Sequence, residues 1–179
     1  HGHGEHSGRY LKFAEHLFSQ KLSLAFFDIR GYGLSEGEEC YVQDYSDYIS
    51  DFTSFSRHLE AFHGVKPPFY VFGHSNGGLQ AVHWAIQHPL KTKALFLSSP
   101  FLGIKLPAIL IWLNQVISFL SPHFIYQNPV YPPYLTHNQQ ELEIYKRDKL
   151  IRRKISAHLL TEMMTAQRAI LQEGSYSVP

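Results

Sequence analysis

The chain has 179 residues, the size of one domain or of part of a larger one. Hydrophobic residues make up 44% and charged residues 17%, which supplies ample material for a core, and a formal net charge of +1 argues against nucleic acid as a partner. The single cysteine, Cys40, excludes an internal disulfide and permits a reducing compartment.

The chain opens on a polar, loop-like run, HGHGEHSGRY, with no signal-peptide pattern. Tyr10, Phe13, Ala14, Leu17 and Phe18 then recur at i, i+3, i+4, i+7 and i+8, which predicts a helix over 9–20 with Ser7 as its cap. The run LSLAFFD, 22–28, followed by the turn signal RGYG, predicts a buried strand. Apolar residues at helical spacing from Tyr45 to Phe62 predict a helix over 44–63, capped by Asp44 and closed by Gly64. PFYVFG (68–73) predicts a second buried strand, 77–88 a helix stopped by Pro89, and KALFLSS (93–99) a third strand. Strands alternating with helices predict parallel βα units and an α/β layered fold. After Pro100 the alternation stops: 105–125 is strongly apolar, 126–136 is rich in Pro and Tyr, and 138–173 reads as two or three helices, a helical insertion. The apolar stretch 106–120 is broken by Asn114, Gln115 and Ser118 and is shorter than the about 20 residues a bilayer span needs.

Gly73-His74-Ser75-Asn76-Gly77 is a G-x-S-x-G sequence placed between a predicted strand and a predicted helix. That context suits a nucleophile. A sharp strand-to-helix turn lifts the Ser75 hydroxyl above the sheet edge, Gly73 and Gly77 remove side chains that would collide across the turn, and the helix N-terminus aims N–H groups at developing negative charge. The alternative is an ordinary Gly-rich turn.

GHSNGG, DIRGYGLSEG and HGHGEHSGRY together resemble the α/β-hydrolase fold, in the monoacylglycerol lipase and lysophospholipase branch termed serine aminopeptidase-like. The resemblance runs over the whole chain and implies residues 1–100 as a partial core, 101–173 as a helical cap and 174–179 as the start of a further core strand. It implies Ser75 as nucleophile, the backbone N–H groups of His3 and Asn76 as oxyanion donors, and no cofactor. Asn76 stands where many relatives carry Met, a departure expected to alter pocket lining more than catalysis. Asp28, Arg30 and Asp51 are expected to hold loops together. The implied substrate is a carboxylic ester, of monoacylglycerol or lysophospholipid type, entering beneath the cap, in a cytoplasmic protein with peripheral membrane contact through that cap. A catalytically inactive relative, or a truncated non-functional fragment, is the other class.

HGHGEH also resembles the His-x-His-x-Asp-His signature of zinc hydrolases of the metallo-β-lactamase fold, since clustered imidazoles bind zinc. Glu5 stands where that signature wants Asp, the predicted helix after Ser75 is what a nucleophile turn requires, and DIRGYGLSEG has no role in the zinc scheme, so the serine reading is preferred and no metal is expected. In the serine reading His1 and His6 are expected to shape the oxyanion loop or to sit in its hydrogen-bond network, and His74 to point away from Ser75.

A serine nucleophile needs a base and an orienting acid, which in this fold follow it in the order acid, then His. Asp148 and His158 have that order but lie in cap-like sequence, so the acid and base are expected beyond Pro179. A start at His1 and an end in SYSVP likewise predict a piece of a longer chain, with the strands ending at Asp28 and Gly73 either separated by a gap or directly paired.

Overall fold

The computed structural model describes residues 1–104, 106–127 and 134–173. The predicted core strand at 174–179 therefore lies outside the described residues, as does most of the Pro- and Tyr-rich stretch.

Six helices and four strands are described. Helix α1 spans Leu11–Ser19, α2 Ser46–Phe62, α3 Asn76–Gln87, α4 Ala108–Leu120, α5 Gln139–Arg147 and α6 Ala157–Glu173; strand β1 spans Phe69–His74, β2 Thr92–Ser98, β3 Ile125–Gln127 and β4 Lys154–Ser156. β1 and β2 pair in parallel, with Val71 opposite Leu95 and His74 opposite Ser98, and α3 makes the crossover between them. This is the predicted parallel βα unit.

Helix α3 is the centre of the core. Every residue from Asn76 to Val82 is buried, as are Trp84 and Ala85. A helix apolar or small on all sides must be covered on all sides. The sheet lies on one side, and α2 and α6 on others. Phe52 of α2 stacks on Trp84 with ring centroids 4.7 Å apart, and Leu159 and Met163 of α6 join the same cluster. Pro89 ends α3 as predicted and opens a 3₁₀ turn.

Three local expectations are corrected. Residues 22–28 form no strand, and Leu22 and Phe26 are exposed. A strand exists only by pairing, and among the described residues no neighbouring backbone meets this segment in a ladder. Ser7 does not cap α1: a 3₁₀ turn over Ser7–Tyr10 leads into the helix, and the Ser7 N–H is drawn instead to the Asp28 carboxylate at 2.6 Å. The segment after Pro100 is not purely helical, because β3 and β4 pair as an antiparallel ribbon, Ile125 opposite Ser156. Around α2 the N-cap is Tyr45, one residue after the expected Asp44, whose carboxylate accepts from Ser46 N–H at 2.7 Å, and Gly64 takes φ +64° just past the helix end.

Helix α4 packs on α6 in an inverted sense. Two of its polar residues face the protein: Asn114 Nδ2 donates to Thr161 Oγ1 at 2.8 Å and to the Ala157 carbonyl at 3.2 Å, and Ser118 is buried beside His158, while Gln115 is exposed. Its apolar residues face outward, with Ile109, Leu110, Trp112, Leu113, Phe119 and Leu120 all exposed and Phe119 86% so. No helix among the described residues is long and apolar enough to cross a membrane.

Candidate active site

β1 delivers the chain to Ser75, and α3 begins at the next residue. Between them Ser75 adopts φ +50°, ψ −118°, a conformation rarely open to a residue with a side chain. Four backbone bonds hold it there. Ser75 N–H donates to the Ser98 carbonyl at 3.0 Å, and the Ser75 carbonyl accepts from Gly78 at 2.9 Å, Leu79 at 3.2 Å and Phe101 at 2.9 Å. The flanking glycines are required by sterics. A Cβ on Gly73 would stand 2.4 Å from the Gly77 carbonyl oxygen, and one on Gly77 would stand 2.4 Å from the His1 carbonyl oxygen. The turn can be this tight only because both positions lack side chains.

The opening loop lies directly against this turn: a Cβ on Gly2 would come within 3.3 Å of Ser75 Cβ. His3, which follows, is tied at both ring nitrogens. Nε2 is 2.8 Å from the Lys154 carbonyl oxygen, an acceptor only, so Nε2 carries the proton. Nδ1 then accepts from the Tyr32 hydroxyl at 2.9 Å. Burial lowers the His3 pKa below its ordinary 6.5, against the bond to Lys154, so the ring is neutral near pH 7. The loop is also tied to the segment before β4, since Arg152 N–H donates to the Gly4 carbonyl at 2.8 Å. Asn76 opens α3, where the first-turn N–H groups have no partner inside the helix. Its side chain is fully buried; Oδ1 accepts from the Tyr45 hydroxyl at 2.8 Å.

The remaining histidines of the opening motif turn to separate partners. His1 Nδ1 faces the Gly2 carbonyl and its Nε2 accepts from Ile29 N–H at 2.9 Å, while His6 Nε2 contacts the Asp148 carboxylate at 2.8 Å. No group of three metal-ligating side chains gathers among the described residues. His74 points its Nδ1 at Ser98, 3.0 Å from the carbonyl oxygen and 3.1 Å from the hydroxyl. Asp28 bridges two loops, accepting from Ser7 N–H on one oxygen and Leu34 N–H on the other. Arg30 binds Asp51 through two nitrogens, at 2.6 and 2.7 Å, and Asp47 through the third at 3.2 Å. Asp148 and His158 do not meet: the first is held by His6, and the second lies between the Gln43 carbonyl at Nε2 and the Ser118 hydroxyl at Nδ1 while stacking on Tyr41. Because a carbonyl only accepts, His158 Nε2 is the donor to Gln43.

Two residues at the site escaped the sequence reading. Tyr32 lies inside RGYG, read only as a turn, and Tyr45 was placed on a helical face. Each is buried and hydroxyl-bonded to one of the two candidate oxyanion residues. The one available signal was a tyrosine held between two glycines, Gly31 and Gly33, where a turn has no need of an aromatic ring.

The profile of the serine aminopeptidase S33 family matches residues 1–179. Human monoglyceride lipase is 29% identical over 180 residues, covering 95% of this chain and 58% of that protein. The Mycolicibacterium smegmatis monoacylglycerol lipase is 26% identical over 153 residues, 84% of this chain and 50% of the relative. The chain thus spans about half to three fifths of these relatives. Among solved structures, the Paleococcus ferrophilus monoacylglycerol lipase superposes with a TM-score of 0.85 at 28% identity, covering 98% of this chain and 66% of that one. A soluble variant of the Saccharomyces cerevisiae monoglyceride lipase, solved with a substrate analog, gives 0.78 at 21% identity over 98% of this chain and 60% of that one, which supports the fold. The chain therefore belongs to the serine aminopeptidase S33 family, in the monoacylglycerol lipase branch of the α/β-hydrolases.

Proposed function

We propose that the full-length protein is a serine hydrolase that cleaves carboxylic esters of lipid type, in the manner its relatives' names indicate. The observation that carries this is the conformation of Ser75: a residue with a side chain, held at positive φ by four backbone bonds, between two glycines that sterics require. Strain of this kind persists only where the surroundings impose it, and here it presents one hydroxyl at a helix N-terminus.

In the proposed mechanism Ser75 Oγ attacks the acyl carbonyl and loses its proton to a base. The carbonyl oxygen becomes an oxyanion, stabilised by the backbone N–H groups of His3 and Asn76. Collapse expels the alcohol, leaving an acyl-enzyme on Ser75, which water hydrolyses by the reverse sequence. The orienting acid and the base are proposed to come from chain beyond Pro179. Residues 101–173 are proposed to act as a cap, whose outward apolar face on α4 meets lipid peripherally. Cys40, a free buried thiol, suits a cytoplasmic protein.

The test is Ser75→Ala in the full-length protein. Turnover should fall on the order of 10³-fold or more, leaving only binding and oxyanion effects. Near-normal turnover would overturn the assignment.

A further inference from the structure

Residues 29–45 contain no helix or strand, yet Ile29, Tyr32, Cys40, Val42 and Tyr45 are all buried in the core. Irregular segments normally run over the surface, and long ones inside a compact fold tend to have a function. This segment brings two tyrosine hydroxyls to the two candidate oxyanion residues: Asn76, which follows Ser75 in the chain, and His3, which follows the Gly2 that lies against Ser75. Tyr32 reaches His3 from one side, at 2.9 Å. Tyr45 reaches Asn76 from the other, 2.8 Å from Oδ1 and 3.4 Å from the Asn76 carbonyl oxygen.

We propose that Tyr32 and Tyr45 are positioning residues of the oxyanion site, their hydroxyls fixing the side chains of His3 and Asn76 and through them the two backbone N–H groups that receive the developing charge. The proposal rests on the Ser75 reading above. A backbone donor works only where its peptide plane is held to within a fraction of an ångström of the oxyanion position. The His3 ring is pinned at both nitrogens, so its Cα–Cβ direction is set, and the peptide on either side of Cα can no longer swing. At Asn76 one hydroxyl engages side chain and main chain together. Burial pushes both phenols well above the ordinary tyrosine value, so each remains a donor, and it keeps the His3 ring neutral, so Nδ1 remains an acceptor. Both braces are anchored in turn on the segment after β3. The His3 ring donates to the Lys154 carbonyl, and Tyr45 N–H donates to Glu162 at 2.9 Å.

The experiment uses Tyr32→Phe and Tyr45→Phe in the full-length protein, with kcat, KM and the inhibition constant of an alkyl trifluoromethyl ketone measured for each. That ketone is captured by the serine hydroxyl as a hemiketal whose oxyanion needs the same donors. Since loss of a whole oxyanion donor costs about 10²–10³ in kcat, a displaced donor should cost about 10-fold, with KM within about twofold. The inhibition constant should rise by the same factor as kcat falls, because a transition-state mimic loses what the transition state loses. A hydroxyl that served only folding would lower the active fraction and kcat but leave the inhibition constant unchanged, and that result overturns the proposal. A second variant tests the Tyr32 bond without altering a core tyrosine: His3→Leu, which can neither accept from Tyr32 nor donate to Lys154, should raise the inhibition constant by about the same factor as Tyr32→Phe, and an unchanged constant also overturns the proposal. Ser75→Ala is assayed alongside. If its turnover persists, the Ser75 reading has failed; if it is inactive and the tyrosine variants match wild type, only the brace has failed.

Discussion

Asp28 ends a segment that makes no ladder, and its carboxylate accepts N–H groups from both Ser7 and Leu34. Burial acts to raise its pKa, but the Leu34 and Ser7 bonds outweigh that and hold it below the ordinary 3.8. A depressed folded-state pKa stabilises above the unfolded value, and the contribution is lost as pH falls through the folded one. Asp28→Asn replaces one acceptor oxygen with an NH₂ that confronts a backbone donor. We expect it to lower the Tm of the full-length protein by a few degrees at pH 7, with the gap to wild type closing as pH drops below about 3.8, followed by circular dichroism. A gap that stays constant down to pH 3 would assign the loss to packing. At this scale the sequence was informative where chemistry is local. Ser75, Gly73 and Gly77 were legible because a tight turn makes its steric demand on adjacent residues. Tyr32 and Tyr45 were not, because their partners lie 29 and 31 positions away and nothing in the local pattern announces them.

Helical elements were legible for a related reason: α2 carries its apolar residues at a period that depends on nothing outside the helix, and α3 is bounded by the local signals of the Gly-rich turn and Pro89. Strands depend on neighbours. β1 and β2 were found as apolar runs, whereas 22–28 has the same composition and no ladder, and β3 and β4, three residues each, are too short to show a period. Helix α4 was legible as apolar but its orientation was not, since periodicity gives a polar stripe without saying which side is buried. Asn114 and Ser118 face α6, leaving Trp112, Phe119 and Leu120 outward. Burying a large apolar side chain is worth about 1.5–3 kcal/mol, so two partly inserted side chains carry roughly 10- to 100-fold in partitioning. If this face meets lipid, Trp112→Ser with Phe119→Ser should weaken binding of the full-length protein to phosphatidylcholine vesicles by that factor. Hydrolysis of a short-chain, water-dispersed ester should stay within about twofold. Unchanged vesicle binding would mean that other protein covers α4.

For the molecule as a whole, β1 has β2 along one edge and no ladder on the other among the described residues, and 22–28, expected either to pair with it or to be separated from it by a gap, does not pair with it and has its Leu22 and Phe26 exposed. An open edge leaves a row of backbone donors and acceptors unpaired. Each such group, where buried, costs about 1–3 kcal/mol, and a domain has only about 5–15 kcal/mol in total. The chemistry points the same way. Among the described residues no imidazole is hydrogen-bonded to the Ser75 hydroxyl: His74 engages Ser98, His6 engages Asp148 and His158 engages Gln43. Without a base the serine keeps the weak nucleophilicity of an alcohol. We therefore expect residues 1–179, expressed alone, to be incompetent, although the full-length protein is proposed to be an enzyme. The isolated segment should show no cooperative thermal transition and no labelling of Ser75 by a fluorophosphonate probe, while the full-length protein shows both. A cooperative transition together with rapid labelling of the segment would establish instead that the two-stranded sheet and its covering helices suffice to build a working nucleophile.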